Sequence, residues 1–246
     1  MAQNVYDDPD FLAGYSGLDR QRHGLGGAPE WPAMRAMIPD PSGLDVVDLG
    51  CGFGWLSRWA VEGGAATVTG LDVSTSMLER AQRDNLLPGI EYRRADLDSV
   101  ELLAVAFDIA ISSLAIHYVR DIDRLFATLA TSLRPGGSFV FSVEHPIFSA
   151  PSQQAFEQSS SGRRIWPLEN YLVEGERVTN WFTDGVIKHH RTIASYANAL
   201  IGAGLTLTEL DEWGPSAEAV AADPALADDR HRPWFLLIAA MKPPIK

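Results

Sequence analysis

The apolar run Leu44 to Leu49 breaks into Gly50-Cys51-Gly52-Phe53-Gly54-Trp55, and a second run, Thr67 to Leu71, ends in Asp72. No other feature restricts the fold of this chain as much. The first run reads as a buried strand, the glycines as a tight turn and the residues after Gly54 as the opening of a helix. Glycine at 50, 52 and 54 removes the Cβ atoms that would keep a ligand off the backbone and permits positive φ in the turn. The helix that follows aims its free N–H groups and the positive end of its dipole at whatever fills the gap. Asp72 sits about 20 residues further on, at the tip of the next strand, the offset from which a carboxylate grips a ribose diol. The turn is suited to a nucleoside.

A dinucleotide fold requires G-x-G-x-x-G, with a small residue where the helix packs closely on the sheet. Counting from Gly50, that place holds Trp55, and the third glycine comes one residue early. Asp48 also suits a pyrophosphate poorly and suits a ligand with an ammonium group and a cationic centre. The block Asp48-Leu49-Gly50-Cys51-Gly52-Phe53-Gly54 therefore resembles the first motif of class I S-adenosylmethionine-dependent methyltransferases. Further along, Asp121 caps a helix carrying Ile122, Leu125, Phe126, Leu129 and Leu133 on one face. Arg134-Pro135-Gly136-Gly137 stops it, and a strand follows over Ser138 to Val143. That succession is common in the same family. The resemblance covers Gly43 to Val143 by its motifs and Thr192 to Met241 by the order of elements. It implies an α/β fold: a doubly wound, seven-stranded, mostly parallel sheet of order 3-2-1-4-5-7-6, the last strand antiparallel, with helices on both faces.

A single domain is expected over residues 1–246, with residues 1–42 as an N-terminal cap segment and 146–191 as an insert after strand five. The insert is rich in Ser, Gln and Gly near Ser149 to Gly162, then in aromatics (Trp166, Tyr171, Trp181, Phe182), and reads as a lid. Ser74-Thr75-Ser76, with Glu79 in capping-box position to Ser76, predicts a helix to about Asn85. Strands are predicted over Ile90 to Arg94, Phe107 to Ile111, Leu205 to Leu210 and Trp234 to Met241. A helix over Thr192 to Ala203 is expected to bury Ile193, Tyr196, Leu200 and Ile201, with Gly204 as its stop.

The resemblance further implies S-adenosylmethionine as cofactor, leaving as S-adenosylhomocysteine. Its methionine part would lie over the Gly50-Cys51-Gly52 turn, with Asp48 near the amino group and Asp72 on both ribose hydroxyls. Asp96 would take the adenine amine and the Leu97 backbone a ring nitrogen, while Val73, Met77 and Leu97 cover the ring faces. Ser112 and Ser113 would end strand four beside the sulfonium. From the N-terminal segment, Tyr15, with Tyr6 and Phe11, would cover the positive sulfur through cation–π attraction, and Arg20 or Arg22 would pair with the carboxylate.

Methyl transfer from a sulfonium requires alignment of the nucleophile and sometimes a base with a pKa near neutrality, for which histidine is the natural candidate. His117 is the first candidate and His145, beside Glu144, the second. Trp166, Tyr171, Trp181 and His190 are expected to contact the acceptor, although the same aromatics also fit a satellite core. Ile111-Ser112-Ser113-Leu114 lacks the Asn/Asp-Pro-Pro-Tyr motif of enzymes that methylate exocyclic amines of bases, and a net charge of −12 disfavours nucleic acid. With one cysteine and no H-x-x-x-H spacing, neither an intramolecular disulfide nor a metal site is expected. No run approaches the ~18 apolar residues of a membrane span, which points to the cytoplasm. The expected function is methyl transfer to a small, partly apolar acceptor by in-line displacement. A non-catalytic S-adenosylmethionine-binding protein and a nicotinamide-dependent oxidoreductase are the alternatives.

Overall fold

The computed structural model describes residues 3–245. Ahead of the sheet lie three helices, α1 (Pro9–Ser16), α2 (Asp19–Arg22) and α3 (Trp31–Met37). The core alternates β1 (Asp45–Leu49), α4 (Trp55–Glu62), β2 (Thr67–Asp72), α5 (Thr75–Asp84), β3 (Ile90–Arg94), β4 (Phe107–Ser113), α6 (Ile122–Ser132) and β5 (Leu133–Glu144). The insert contributes α7 (Pro146–Ser149) and two hairpins, β6 (Glu157–Gln158) with β7 (Arg164–Ile165) and β8 (Gly175–Trp181) with β9 (Thr183–His190). The chain returns through α8 (Ile193–Gly202), β10 (Thr206–Trp213), α9 (Ala217–Ala222) and β11 (Phe235–Met241).

The seven-stranded sheet runs β10-β11-β5-β4-β1-β2-β3. Strands β1 to β5 are parallel, and β11 lies antiparallel between β5 and β10. Because side chains alternate across a strand, neighbouring apolar residues feed two separate cores. Val47, Ala110, Phe139 and Phe141 pack under α6 and α8 with Phe126, Leu129 and Tyr196. Val46, Ile109, Ile111 and Val140 pack on the opposite face with Met34, Leu56 and Leu78 of α3, α4 and α5. The strand order reverses between β1 and β4, and a crevice opens there at the carboxyl ends of the strands, where doubly wound sheets bind ligands.

Several local expectations need correction. Ser74, not Ser76, caps α5, accepting the Met77 N–H at 3.1 Å, so Glu79 lies outside a capping box. Leu133 opens β5 instead of closing α6, and Arg134 is held by Asp45 and Asp108 at 2.9 and 2.5 Å, which carries the strand through the Pro-Gly-Gly segment. Ile201 is 59% exposed, because α8 turns Tyr196, Ala199 and Leu200 inward. The β6–β7 connection turns at Gly162, φ 79°. The β8–β9 turn instead places Phe182 at φ 57°.

The N-terminal segment is fixed to both the core and the insert. Phe11 is fully buried, about 1.5–3 kcal/mol of apolar transfer, and meets the rings of Trp181 and Phe182 at 5.4 and 5.8 Å. Asp7 accepts from the Ser74 hydroxyl (2.6 Å) and the Ser76 N–H (2.9 Å) at the N-terminus of α5. Gln3 bonds the Gly185 carbonyl and the Ile187 N–H on β9. The arm and the β8–β9 hairpin therefore form one continuous cover over the crevice.

Candidate active site

Three adjoining cavities occupy the crevice. The first, about 690 Å³, lies over the tips of β2 and β3 and is lined by Gly52, Asp72, Val73, Met77, Asp96 and Leu97, with Tyr6 and Tyr15 as its roof. The second, about 570 Å³, lies over the glycine turn and is lined by Arg20, Gln21, Glu30, Asp48, Cys51 and Trp55 among others. The third, about 930 Å³, lies under the hairpin between His117, Tyr118, Glu144, Phe148, Trp181 and Lys188. Tyr15 and Ser113 line all three and mark their junction.

The first cavity suits a nucleoside. Gly52 has φ 53°, and nothing lies within 4 Å of the position its Cβ would take, so a side chain there would fill ligand space. Gly50, at φ 71°, passes so close to Ala115 that a Cβ would sit 2.2 Å from that methyl. Asp72 accepts the Gly52 N–H on one oxygen and the Ser74 N–H on the other, both at 2.9 Å. Each oxygen keeps a second lone pair, so the carboxylate is rigidly aimed yet still able to take two hydroxyls. Burial above all raises its pKa, against the pull of those N–H donors.

The wall of the second cavity has polar atoms left without partners. Gln21 Oε1, Glu30 Oε2, Asp48 Oδ1 and Trp55 Nε1 are buried with no hydrogen bond, three acceptors and one donor. An α-amino acid's ammonium and carboxylate are the complement of that set. Asp48 holds the Ser57 hydroxyl at 2.7 Å on its other oxygen, and burial above all, with the nearby Asp72 charge adding, pushes its pKa to about 7. A cation beside it would restore an ordinary carboxylate. Arg20 lines the same wall and is oriented by Glu30 at 2.5 Å. Cys51 is buried and its thiol pushed up well above the usual range, so it fills space without reactivity. The first two cavities thus accept a nucleoside joined to an amino acid, the shape and charge of S-adenosylmethionine.

Of the expected cofactor residues, Phe11, Arg22 and Ser112 stay out of these cavities. Phe11 is buried against Trp181 and Phe182, and Arg22 is exposed. Ser112 is fully buried and donates to the Leu49 carbonyl at 2.7 Å, tying β4 to β1. Its neighbour Ser113 takes the place at the junction. His117 lines the third cavity, its Nδ1 accepting the Glu144 N–H at 3.5 Å, and burial, aided by Lys188 and Arg191 and opposed by Glu144, pushes its pKa down to about 4.

His145 is elsewhere. Its Nδ1 accepts the Ile147 N–H at 3.0 Å as the cap of α7, so Nε2 carries the proton to Glu212 at 2.9 Å. Trp181 lines the third cavity, but Trp166, Tyr171 and His190 do not. Trp166 stacks between Phe148 (5.6 Å) and the Arg232 guanidinium (4.2 Å). Buried His190 takes the Ser149 hydroxyl on Nδ1 at 2.8 Å and donates from Nε2 to the Tyr171 carbonyl at 2.9 Å, which fixes the base of the hairpin. These side chains are satisfied within the insert's own small core. The sequence reading missed Tyr118, Lys188 and Glu30 as cavity walls. Alternation of Val186, Lys188 and His190 along one buried face was the available signal for Lys188. Among the described residues no three His, Cys, Asp or Glu side chains gather as a metal would require.

Fold and site define a Rossmann-like domain of the class I methyltransferase type. The family described as "Methyltransferase domain" matches residues 47–141. The crystal structure of an S-adenosylmethionine dependent methyltransferase from Mesorhizobium loti is 52% identical, aligns over 89% of this chain and 100% of that one, and superposes with a TM-score of 0.85. An uncharacterized protein of Haemophilus influenzae is 32% identical over 97% of both chains. The trans-aconitate 2-methyltransferase of Deinococcus radiodurans is 38% identical over 46% of this chain and 42% of its own length. This chain belongs to the S-adenosylmethionine-dependent methyltransferase family, and its cofactor is S-adenosylmethionine. Among the described residues no helix is long and apolar enough to cross a membrane.

Proposed function

We propose that this protein methylates a small, partly apolar acceptor held in the cavity between the N-terminal arm and the β8–β9 hairpin. The observation that carries this reading is the convergence of all three cavities on Tyr15 and Ser113. A cofactor laid along the first two cavities brings its reactive centre to the mouth of the third. When bound, S-adenosylmethionine supplies a methyl group on a positive sulfur, already activated for in-line displacement.

The chain's own residues bind and orient. Asp72 holds the ribose, Asp96 and Leu97 with Val73 and Met77 hold the base, and Asp48 and Arg20 hold the amino-acid end over the Gly50-Cys51-Gly52 turn. Tyr6, Tyr15 and Tyr118 wall the junction and keep water from it. Tyr6 and Tyr118 bond through their hydroxyls at 3.1 Å, and burial pushes the Tyr15 phenol up to about 12, so these rings stay neutral. His117 serves as an uncharged wall of the acceptor cavity, since a base with a pKa near 4 is poorly matched to neutral pH. Trp181 covers the acceptor's apolar part. The match to the trans-aconitate 2-methyltransferase spans under half of this chain, whereas the acceptor cavity draws on residues from Tyr6 to Phe235, so the acceptor is read from the cavity itself.

Incubation with methyl-labelled S-adenosylmethionine and a fractionated metabolite pool tests the proposal. Label should pass to a small molecule in the organic-extractable fraction. Tight binding of S-adenosylhomocysteine with no transfer to any small molecule would instead leave a non-catalytic binder.

A further inference from the structure

The third cavity holds charged groups, yet it has no free charge. Its lining includes Arg20, Lys188, Glu144 and His117. Arg20 lies 2.5 Å from Glu30, and Lys188 lies 2.5 Å from Glu144. His117 is uncharged at neutral pH. Lys188 is 5% exposed, and its ammonium also faces the rings of Trp181 and Tyr118 at 4.9 and 5.9 Å, so its remaining sides are occupied by π faces.

The two ends of the Lys188–Glu144 pair come from different parts of the fold. Lys188 projects from the inner face of β9, and Glu144 ends β5. A buried lysine is costly unless it is paired, so the pair adds to the Gln3 and His190 hydrogen bonds that hold the hairpin and also fixes the carboxylate. Only one oxygen of that carboxylate is used. Among the described residues lining this cavity, Glu144 Oε2 is the single buried side-chain polar atom without a hydrogen-bond partner. The wall therefore lacks a donor, not an acceptor.

Resting on the methyltransferase reading above, we infer that the acceptor is an uncharged molecule presenting a hydrogen-bond donor, a hydroxyl or an N–H, to the Glu144 carboxylate. A carboxylate-bearing acceptor is selected against. It would set its lone pairs against an anionic oxygen, with both nearby cations already neutralised. Glu144 is in this account a specificity-determining residue: a site built to hydrogen-bond a donor rejects an analogue that lacks it.

The test screens isosteric pairs by ligand-observed NMR against protein loaded with S-adenosylhomocysteine: phenols, anilines and alcohols of one- and two-ring size, each with its matching carboxylate, 2-naphthol with 2-naphthoate among them. Binding should fall on the donor member of each pair by about tenfold or more. Glu144→Gln removes the charge while keeping a polar side chain, and it should erase or invert that preference because Lys188 is left unneutralised. Should Glu144→Gln misfold, Lys188→Gln, which keeps the carboxylate and removes its cation, should steepen the preference. Carboxylates bound as well as their partners, no donor bound at all, or a preference unmoved by these substitutions would each overturn the inference. Calorimetry with S-adenosylhomocysteine on the same samples separates the two levels. Retained affinity leaves the methyltransferase reading standing while this one fails, and absent affinity in the parent protein removes both.

Discussion

The cofactor end and the acceptor end of the crevice are built by different means. Around Gly50, Gly52 and Asp72 the shape is set by backbone: a positive-φ turn, two N–H groups holding one carboxylate, and the ends of adjacent parallel strands. Around Glu144 and Lys188 it is set by side chains drawn from the arm, β4, β5 and the hairpin, regions far apart in sequence. A backbone-built site tolerates change in its surroundings but little change within the loop. A side-chain-built site can take a new acceptor by exchanging single residues on an unchanged frame.

The sharpest way to break that contrast is inside the loop. Gly52→Val places a branched side chain in ligand space at a left-handed φ, where nothing else is displaced. It should keep its circular dichroism spectrum and lose S-adenosylhomocysteine affinity by at least about a hundredfold, ~2.7 kcal/mol. Unchanged affinity would mean that the ligand lies elsewhere.

A pH series comes next. The Asp48 pKa is raised from 3.8 to about 7 in the ligand-free protein. Between those values the native state keeps a proton that the unfolded chain releases. This residue's contribution to stability is thus fully present below about 3.8 and lost as pH rises through about 7. Ligand affinity should run the other way: it needs the ionised carboxylate and should fall about tenfold per pH unit below ~7, as titration of a single linked group requires. Asp48→Asn should flatten both profiles, which calorimetry and thermal melts across pH 5.5–8.5 would check (a range of about three units, ample for one titration).

At the acceptor end, His117→Ala should lower kcat by less than about tenfold and leave S-adenosylhomocysteine affinity unchanged, whereas loss of a general base costs ~10²–10⁴. The smallest effect belongs to the cover. Asp7→Ala removes its hydrogen bonds at the N-terminus of α5 and should weaken S-adenosylhomocysteine about fivefold, the ~1 kcal/mol of a helix cap. A large loss of affinity there would shift weight from the turn to the arm.

The same contrast governs what could be read in the sequence. The glycine turn and the offset of Asp72 follow from local spacing, because each sits at a fixed distance from the end of its own strand, whereas the strand order and the places of Asp96 and Leu97 come from the family resemblance that this turn carries. The β8–β9 hairpin was opaque: its turn falls on Phe182 at φ 57° and not on the nearby Gly185, and β8 has no buried residue to set against the buried face of β9. His145 and His190 show the limit for single side chains. Both lie beside charged or aromatic residues in sequence, as catalytic groups do, yet each spends both ring nitrogens on structural partners that are distant in the chain or on the backbone. For Lys188 the local mark was only its alternation with Val186 and His190, and its meaning comes from Glu144, which lies 44 residues away.

The account depends most on the Asp72 carboxylate holding a nucleoside against the glycine turn. Titration calorimetry of S-adenosylhomocysteine into the parent protein and into Asp72→Ala tests it directly. The parent should bind one equivalent, and the variant, without the two charge-assisted hydrogen bonds to the ribose, should bind at least about a hundredfold more weakly. A variant that binds as tightly as the parent, or a parent that does not bind, would contradict it.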